Sequence, residues 1–285
     1  LFYFNKPLYT KTDHKNKTKR GETMLLVIFF VICFGASIVG AICGIGGGVI
    51  IKPVLDAFQI LDVATISFLS GCTVLSMSTY AVLKSKVNGK SQLEPKTGLP
   101  LALGAAAGGI LGKWMFGFIS ALSSDKNKIG AIQAICLLII TAATLLYTLC
   151  RNKLNSYHIT NAAVCVFIGI VLGILSSFLG IGGGPVNLAV LYFFFSMNTK
   201  AAAENSLYII FYSQITSLLS AILTGSIPKF SVPMLLMMVL GGILGGIMGR
   251  SLNSRISNRA VDRLFTALLI LIICINIYNY YIFTN

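Results

Sequence analysis

The sequence predicts an all-α fold, a polytopic transmembrane helical bundle of about eight spans. Three observations carry that reading. The 285 residues are 56% hydrophobic and only 11% charged, with a mean hydropathy of +0.85, whereas a water-soluble domain is roughly 25% charged. Eight mainly apolar stretches reach about 20 positions, the length at which a helix rising 1.5 Å per residue crosses roughly 30 Å of hydrocarbon. Two further apolar segments, about half that length, each follow a glycine cluster. This composition excludes disorder, a secreted disulfide scaffold and a soluble enzyme. The apolar runs are continuous rather than alternating, which speaks against a transmembrane barrel.

Residues 1–23 form a basic tail holding Lys6, Lys11, Lys15, Lys17, Lys19 and Arg20. Met24 directly precedes the first apolar run, and the codons of Arg20-Gly21-Glu22 can spell a ribosome-binding sequence before it. Two expectations follow: translation starting at Met24, or a basic cytoplasmic tail. A signal peptide does not fit, because no A-x-A-like cleavage site follows the first run.

A first repeat, 24–150, holds expected spans at 25–43, 62–83, 99–119 and 129–150; a second, 151–285, holds 159–179, 203–224, 232–249 and 264–283. Polar connections separate them at 84–98, where Asn-Gly and Glu-Pro mark turns, and at 122–128, 151–158, 226–231 and the basic stretch 250–263. The segments Val49 to Phe58 and Pro185 to Phe195 are too short to cross alone and read as half-helices or re-entrant pieces. Placing the N-terminus inside puts Lys84, Lys86, Lys90, Lys96, Arg151, Lys153 and Lys229 in the cytoplasm, as the positive-inside tendency asks, but leaves Arg255, Arg259 and Arg263 outside. If the glycine segments add a crossing to each half, the halves become inverted and this assignment changes.

The halves repeat in sequence. Gly44-Ile45-Gly46-Gly47-Gly48 recurs 136 positions later as Gly180-Ile181-Gly182-Gly183-Gly184, and Val54, Leu55 and Phe58 match Val190, Leu191 and Phe194 at the same offset. With a gap, Ala64-Thr65-Ile66-Ser67 aligns with Ala203-Glu204-Asn205-Ser206, and Gly108 to Lys113 aligns with Gly245 to Arg250. Doubled hydrophobic segments interrupted by glycine point to a transporter, with its site where the halves meet.

Glycine weakens a helix by about 1 kcal/mol relative to Ala, and backbone groups freed within hydrocarbon must find partners. Such breaks survive where protein buries them or where they line a cavity. The N-terminus of the following half-helix then offers unpaired N–H groups of partial positive charge, which suit an anion. Gly46, Gly47 and Gly48 with Gly182, Gly183 and Gly184 are therefore expected to form two facing anion cradles, with Pro185 suited to a first helical turn. The alternative is that these glycines only permit close helix contact, the role expected of Gly108 to Gly112 and Gly245 to Gly249. Ser67 and Ser206, read as matching positions, offer hydroxyls to an oxyanion, and Asn205 and Asn187 offer amides; capping, packing and interhelical hydrogen bonds are their ordinary roles. Lys52 is the cation among the half-helices and a substrate-binding candidate, with snorkelling to the surface as its alternative. Glu204 and Asp62 are coupling candidates near span ends. Lys113 and Arg250 read as interfacial anchors.

No metal or cofactor is expected, since the only histidines are His14 and His158 and no nucleophile triad is apparent. The glycine runs lack the further glycine of a dinucleotide fingerprint and the Gly-Lys-Ser/Thr of a P-loop. Seven cysteines, none in a C-x-x-C pair, read as packing residues. The net charge of +14 sits mostly in the tail and between spans, which reports topology rather than a nucleic-acid face. The expected partners are a lipid bilayer and a small anionic substrate, with no nucleic acid; a homo-oligomer stays open.

Two G-I-G-G-G segments, each followed by a short apolar helix, an A-x-x-S helix start and a later G-G-x-x-G-[KR] segment, resemble the sulfite exporter TauE/SafE family of membrane permeases over roughly Met24 to Tyr278. Lys52 and the long 84–98 loop make the first half the weaker match. The resemblance implies transport of sulfur-containing anions such as sulfite, thiosulfate or organosulfonates, driven by an ion gradient rather than ATP; the two-repeat reading adds the expectation of alternating access. An anion channel, a carrier of another anion such as a carboxylate, and a membrane-embedded enzyme are the alternatives.

Overall fold

The computed structural model describes residues 11–87, 95–122, 126–151 and 156–284, with side chains left out at 11–22, 86, 95 and 126. The beginning of the tail, the Asn88-Gly89 turn and parts of the connections at 123–125 and 152–155 lie outside the described residues. The chain runs through α1 (Lys11–Cys43), α2 (Gly48–Phe58), α3 (Val63–Val87), α4 (Pro95–Leu122), α5 (Lys126–Cys150), α6 (Ala162–Leu179), α7 (Pro185–Phe195), α8 (Thr199–Leu223), α9 (Val232–Arg255) and α10 (Asn258–Thr284). Eight of these are long and apolar enough to cross a membrane. The protein is a multi-pass membrane protein.

The helix limits have local causes. The Asn161 side chain caps α6 by accepting from the Ala163 and Val164 amides, and Asn198 caps α8 by accepting from Ala201. Pro185 opens α7, where its missing N–H costs nothing. The stretch 250–263, expected as a connection, is instead almost wholly helical. α9 continues to Arg255 and α10 begins at Asn258. A basic residue in a last turn favours the negative helix end, so charge here carries the helix out of hydrocarbon instead of ending it.

Small residues set the tightest helix pairs. In α4, Gly104, Gly108 and Gly112 lie against the backbone of Val166, Ile170 and Ile174 in α6. In α9, Gly241, Gly245 and Gly249 lie against Phe30, Phe34 and Ile38 in α1. The halves are thus interleaved, each giving its first helix to the other's fourth, and the second set of contacts repeats the first at the sequence offsets already noted.

These contacts also fix directions. α1, α3 and α9 run parallel, since Gly242, Gly246 and Arg250 meet Thr73, Met77 and Ala81 in rising order. α2 turns back beside α1, packing Ile51 and Leu55 with Cys33 and Phe29. Eleven residues of helix span about 16 Å, half the hydrocarbon, so α2 and α7 are return legs. With them counted, α1 and α6 run oppositely, and the start of α1 and the end of α10 lie on one face, the face of the chain ends. This alters the side assignment made from eight spans alone. Lys229 moves to the face of the chain ends, while Arg255, Arg259 and Arg263 join Lys84, Lys96, Arg151, Lys200 and Arg250 on the opposite, basic face.

Candidate functional site

The two glycine runs meet within the bundle. Gly44, Gly46, Gly180, Gly182, Gly183 and Gly184 all have positive φ, from 65° to 121°. Such backbone is nearly strain-free only for glycine. In this conformation each run leaves a full-length helix, doubles back and starts its half-helix after four residues in the first case and five in the second. A Cβ added at Gly46 would stand 3.8 Å from the Gly182 carbonyl oxygen, and one at Gly48 would strike that of Ile181. Gly40 similarly lies against Gly46 and Gly47. Close approach and the start of a half-helix are therefore properties of the same buried residues. The first run is partly absorbed into its helix, with Gly47 at the cap and Gly48 inside α2, whereas all of Gly182, Gly183 and Gly184 precede α7.

Two further contacts revise the gapped alignment. Gly180 faces Ser67, and Gly44 faces Ala203. The offset of 136 therefore continues without a gap, which makes Ala203 the counterpart of Ser67 and Ser70 the counterpart of Ser206. Similar residue types one register apart produced the earlier pairing.

The crossing is walled by Val74 of α3 and Ile210 of α8, which contact Gly46 and Gly182, and Gly46 and Gly183 respectively. One turn earlier on the same faces stand Ser70 and Ser206, both fully buried, with hydroxyls that lack a hydrogen-bond partner. Ser67, beside Gly180, and Ser37, beside Gly47, are likewise unpartnered. Asn187, on the first turn of α7, is fully buried and has neither amide nitrogen nor oxygen bonded; the nitrogen lies 2.9 Å from a Cβ position at Gly183. A buried polar group left without a partner costs about 1–3 kcal/mol. Five such side chains around two half-helix starts make a cluster that a ligand rich in acceptors would satisfy.

The other sequence candidates are placed differently. Asn205 donates to the carbonyl of Ala201 in its own helix. Asp62 caps α3 by accepting from the Thr65 amide, at an exposed position. Glu204 accepts from the Ser85 hydroxyl. Lys52 does not snorkel: it is 3% exposed and pairs with Asp56 at 2.5 Å. The sequence reading missed Asp56, Ser70 and Ser37. The signals existed, since Asp56 is four residues after Lys52 and Ser70 stands 136 before Ser206.

On the basic face a cavity of about 280 Å³ opens beside the crossing, lined by Ala41, Lys200, Glu204, Arg250, Asn253 and Ser254. Lys200 lies in the first turn of α8, where the helix end is already positive, so two like potentials converge on the opening. On the opposite face the corresponding positions hold Phe68 and Phe116, both under 9% exposed, with the Lys113 ammonium 5.3 Å from the Phe116 ring centre. The first set of positions lines an open, charged cavity, whereas the counterpart set holds buried rings. Among the described residues no three His, Cys, Asp or Glu side chains are grouped to hold a metal.

A family model described as sulfite exporter TauE/SafE matches residues 29–276. The chain is also 27% identical over 230 residues to the "Probable membrane transporter protein YunE" of Bacillus subtilis (strain 168), covering 72% of this chain and 81% of that one. No solved structure matches it.

Proposed function

From the premise that the chain belongs to the sulfite exporter TauE/SafE family of membrane transporters, we propose that it carries a small sulfur-containing oxyanion by alternating access, with the glycine crossing as its binding place. The observation that supports this most is the cluster of unpartnered buried groups, Asn187, Ser70, Ser206, Ser67 and Ser37, around two facing half-helix starts. Hydroxyl and amide donors with helix N-terminal amides suit the diffuse charge of sulfite, thiosulfate or a sulfonate. No ATP, metal or other cofactor has a role in this reading.

The cavity on the basic face is the approach to the crossing, and Lys200 and Arg250 draw the anion in. Counted from Met24 onward, leaving out the basic tail, the positive-inside tendency favours the cytoplasm for this face. The ring-filled mouth is the one that opens in the alternate state. An anion channel, the principal competitor, cannot perform counterflow, in which an outward gradient of unlabelled anion drives transient uphill uptake of labelled anion.

A thermal-shift titration of the purified protein with sulfite, thiosulfate, sulfoacetate, sulfate and acetate tests the binding place. Stabilisation by the sulfur oxyanions is expected in the parent and is expected to vanish in Gly183→Leu, whose side chain would fill the space beside Asn187 and Ile210. An undiminished shift in that variant would remove the crossing from consideration.

A further inference from the structure

Building on the transport reading above, we propose that Lys52 and Asp56 form a proton-exchange site, in which the Asp56 carboxylate and an anion at the glycine crossing alternate as partners of the Lys52 ammonium.

Gly48, Lys52 and Asp56 are spaced by four along α2 and so lie on one face of the helix. Gly48 stands at the crossing. Lys52 is one turn on, a rise of about 6 Å that its flexible four-carbon stem can span. Asp56 is a further turn on, in the last turn before α2 ends at the exposed Gln59, and the exposed Asp62 follows where α3 begins. The pair thus runs from the crossing to the polar turn that joins α2 to α3. Lys52 and Asp56 are 3% and 6% exposed, and the second carboxylate oxygen, Oδ1, has no hydrogen-bond partner.

Among the described residues, the side chains named here that pack on α2 from α1 and α10 carry no charge at neutral pH. From α1, Cys33 packs among Ile51 and Leu55. From α10, Asn279 donates to the Pro53 carbonyl, and Cys274 and Tyr278 flank Val54 and Phe58 on another side. From α3, Asp62 faces its own helix start at Thr65.

A buried ammonium without a counter-charge costs several kcal/mol. The site therefore favours two states. When empty, Lys52 is neutralised by ionised Asp56. When loaded, a proton from water has bound an Asp56 carboxylate oxygen, the Nζ–Oδ2 contact has broken, and Lys52 is neutralised by the anion. Net charge at the site is zero in both states for a monovalent anion, so one proton moves with each anion and no net charge crosses the membrane. In α7 the corresponding positions hold Leu188 and Tyr192, so there is no second pair and the ratio is one.

The test uses the full chain in proteoliposomes with methanesulfonate, whose charge is constant across the working pH range. Wild type is expected to exchange labelled for unlabelled methanesulfonate, and to accumulate it about tenfold per unit of imposed pH gradient, the equivalent of 1.36 kcal/mol. A potassium–valinomycin potential should leave that accumulation unchanged. Accumulation that follows the potential and ignores pH overturns the proposal without recourse to any variant. Asp56→Asn should keep exchange and lose pH-driven accumulation. Retained pH-driven accumulation, or loss of exchange in a protein that still elutes and melts as a folded species, overturns it. Absence of counterflow in wild type with methanesulfonate, thiosulfate and sulfite alike would overturn the transport reading itself, and this proposal with it.

Discussion

Asn187 gathers several arguments in one side chain. Its amide is fully buried and unbonded, beside a glycine at φ 120° that no other residue replaces without strain. Replacing an unsatisfied buried group by an apolar one of similar shape is near neutral or stabilising. Asn187→Leu should therefore melt at or above the wild-type temperature in anion-free buffer, yet bind anion roughly 10-fold to 100-fold more weakly, the loss of a hydrogen bond to a charged group. A fall in melting temperature with unaltered affinity would reassign Asn187 to structure. The paired variant Ser70→Ala/Ser206→Ala should behave in the same sense. Ser206 was legible in the sequence as a hydroxyl near a span start, and Asn187 as an amide two residues after Pro185 on the short helix. Ser70 was hidden among the many small hydroxyl residues of α3, where nothing in composition marks which serine faces inward. Asp56 was hidden for a related reason: its spacing from Lys52 was visible, but the burial of their shared face depends on α10 and α1, which arrive from distant parts of the chain.

Among the elements, the eight long helices and two half-helices were legible because hydrocarbon thickness fixes length directly. The glycine-rich faces of α4 and α9 also act as expected of small residues in membrane helices. Less legible was the helical character of 250–263, where charge resembles a loop. Gly108→Leu and Gly245→Leu should each cost at least about 1–3 kcal/mol by overpacking, because the new side chain meets partner backbone that cannot yield. Gly35→Ala and Gly117→Ala meet nothing within 4 Å and should be neutral or gain up to about 1 kcal/mol. Detergent thermal denaturation of the four variants checks the contrast. Equal effects in both pairs would mean that these contacts do not limit stability.

At the scale of the whole molecule, the difference between the two mouths is the main asymmetry, and it was not legible. It arises where Glu204 and Asn253 on one face correspond to Phe68 and Phe116 on the other, a comparison that requires the true register. In a cysteine-free background, Ser254→Cys should react with a membrane-impermeant maleimide added from the basic face, while Phe116→Cys should stay unreactive until anion exchange is under way. Equal labelling of both sites at rest would contradict the one-sided opening. The interleaving of the two halves has a consequence for how the molecule is made. α1 ends at Cys43 and its principal neighbour begins only at Val232. At about 5–20 residues per second, a ribosome leaves that first helix waiting for roughly 10–40 s beside lipid or insertion machinery. During biogenesis the face of α1 that carries Cys33, Ser37 and Ala41, later covered by the glycines of α9, stands open, and the nascent protein is most exposed to wrong neighbours, quality control and degradation in that interval.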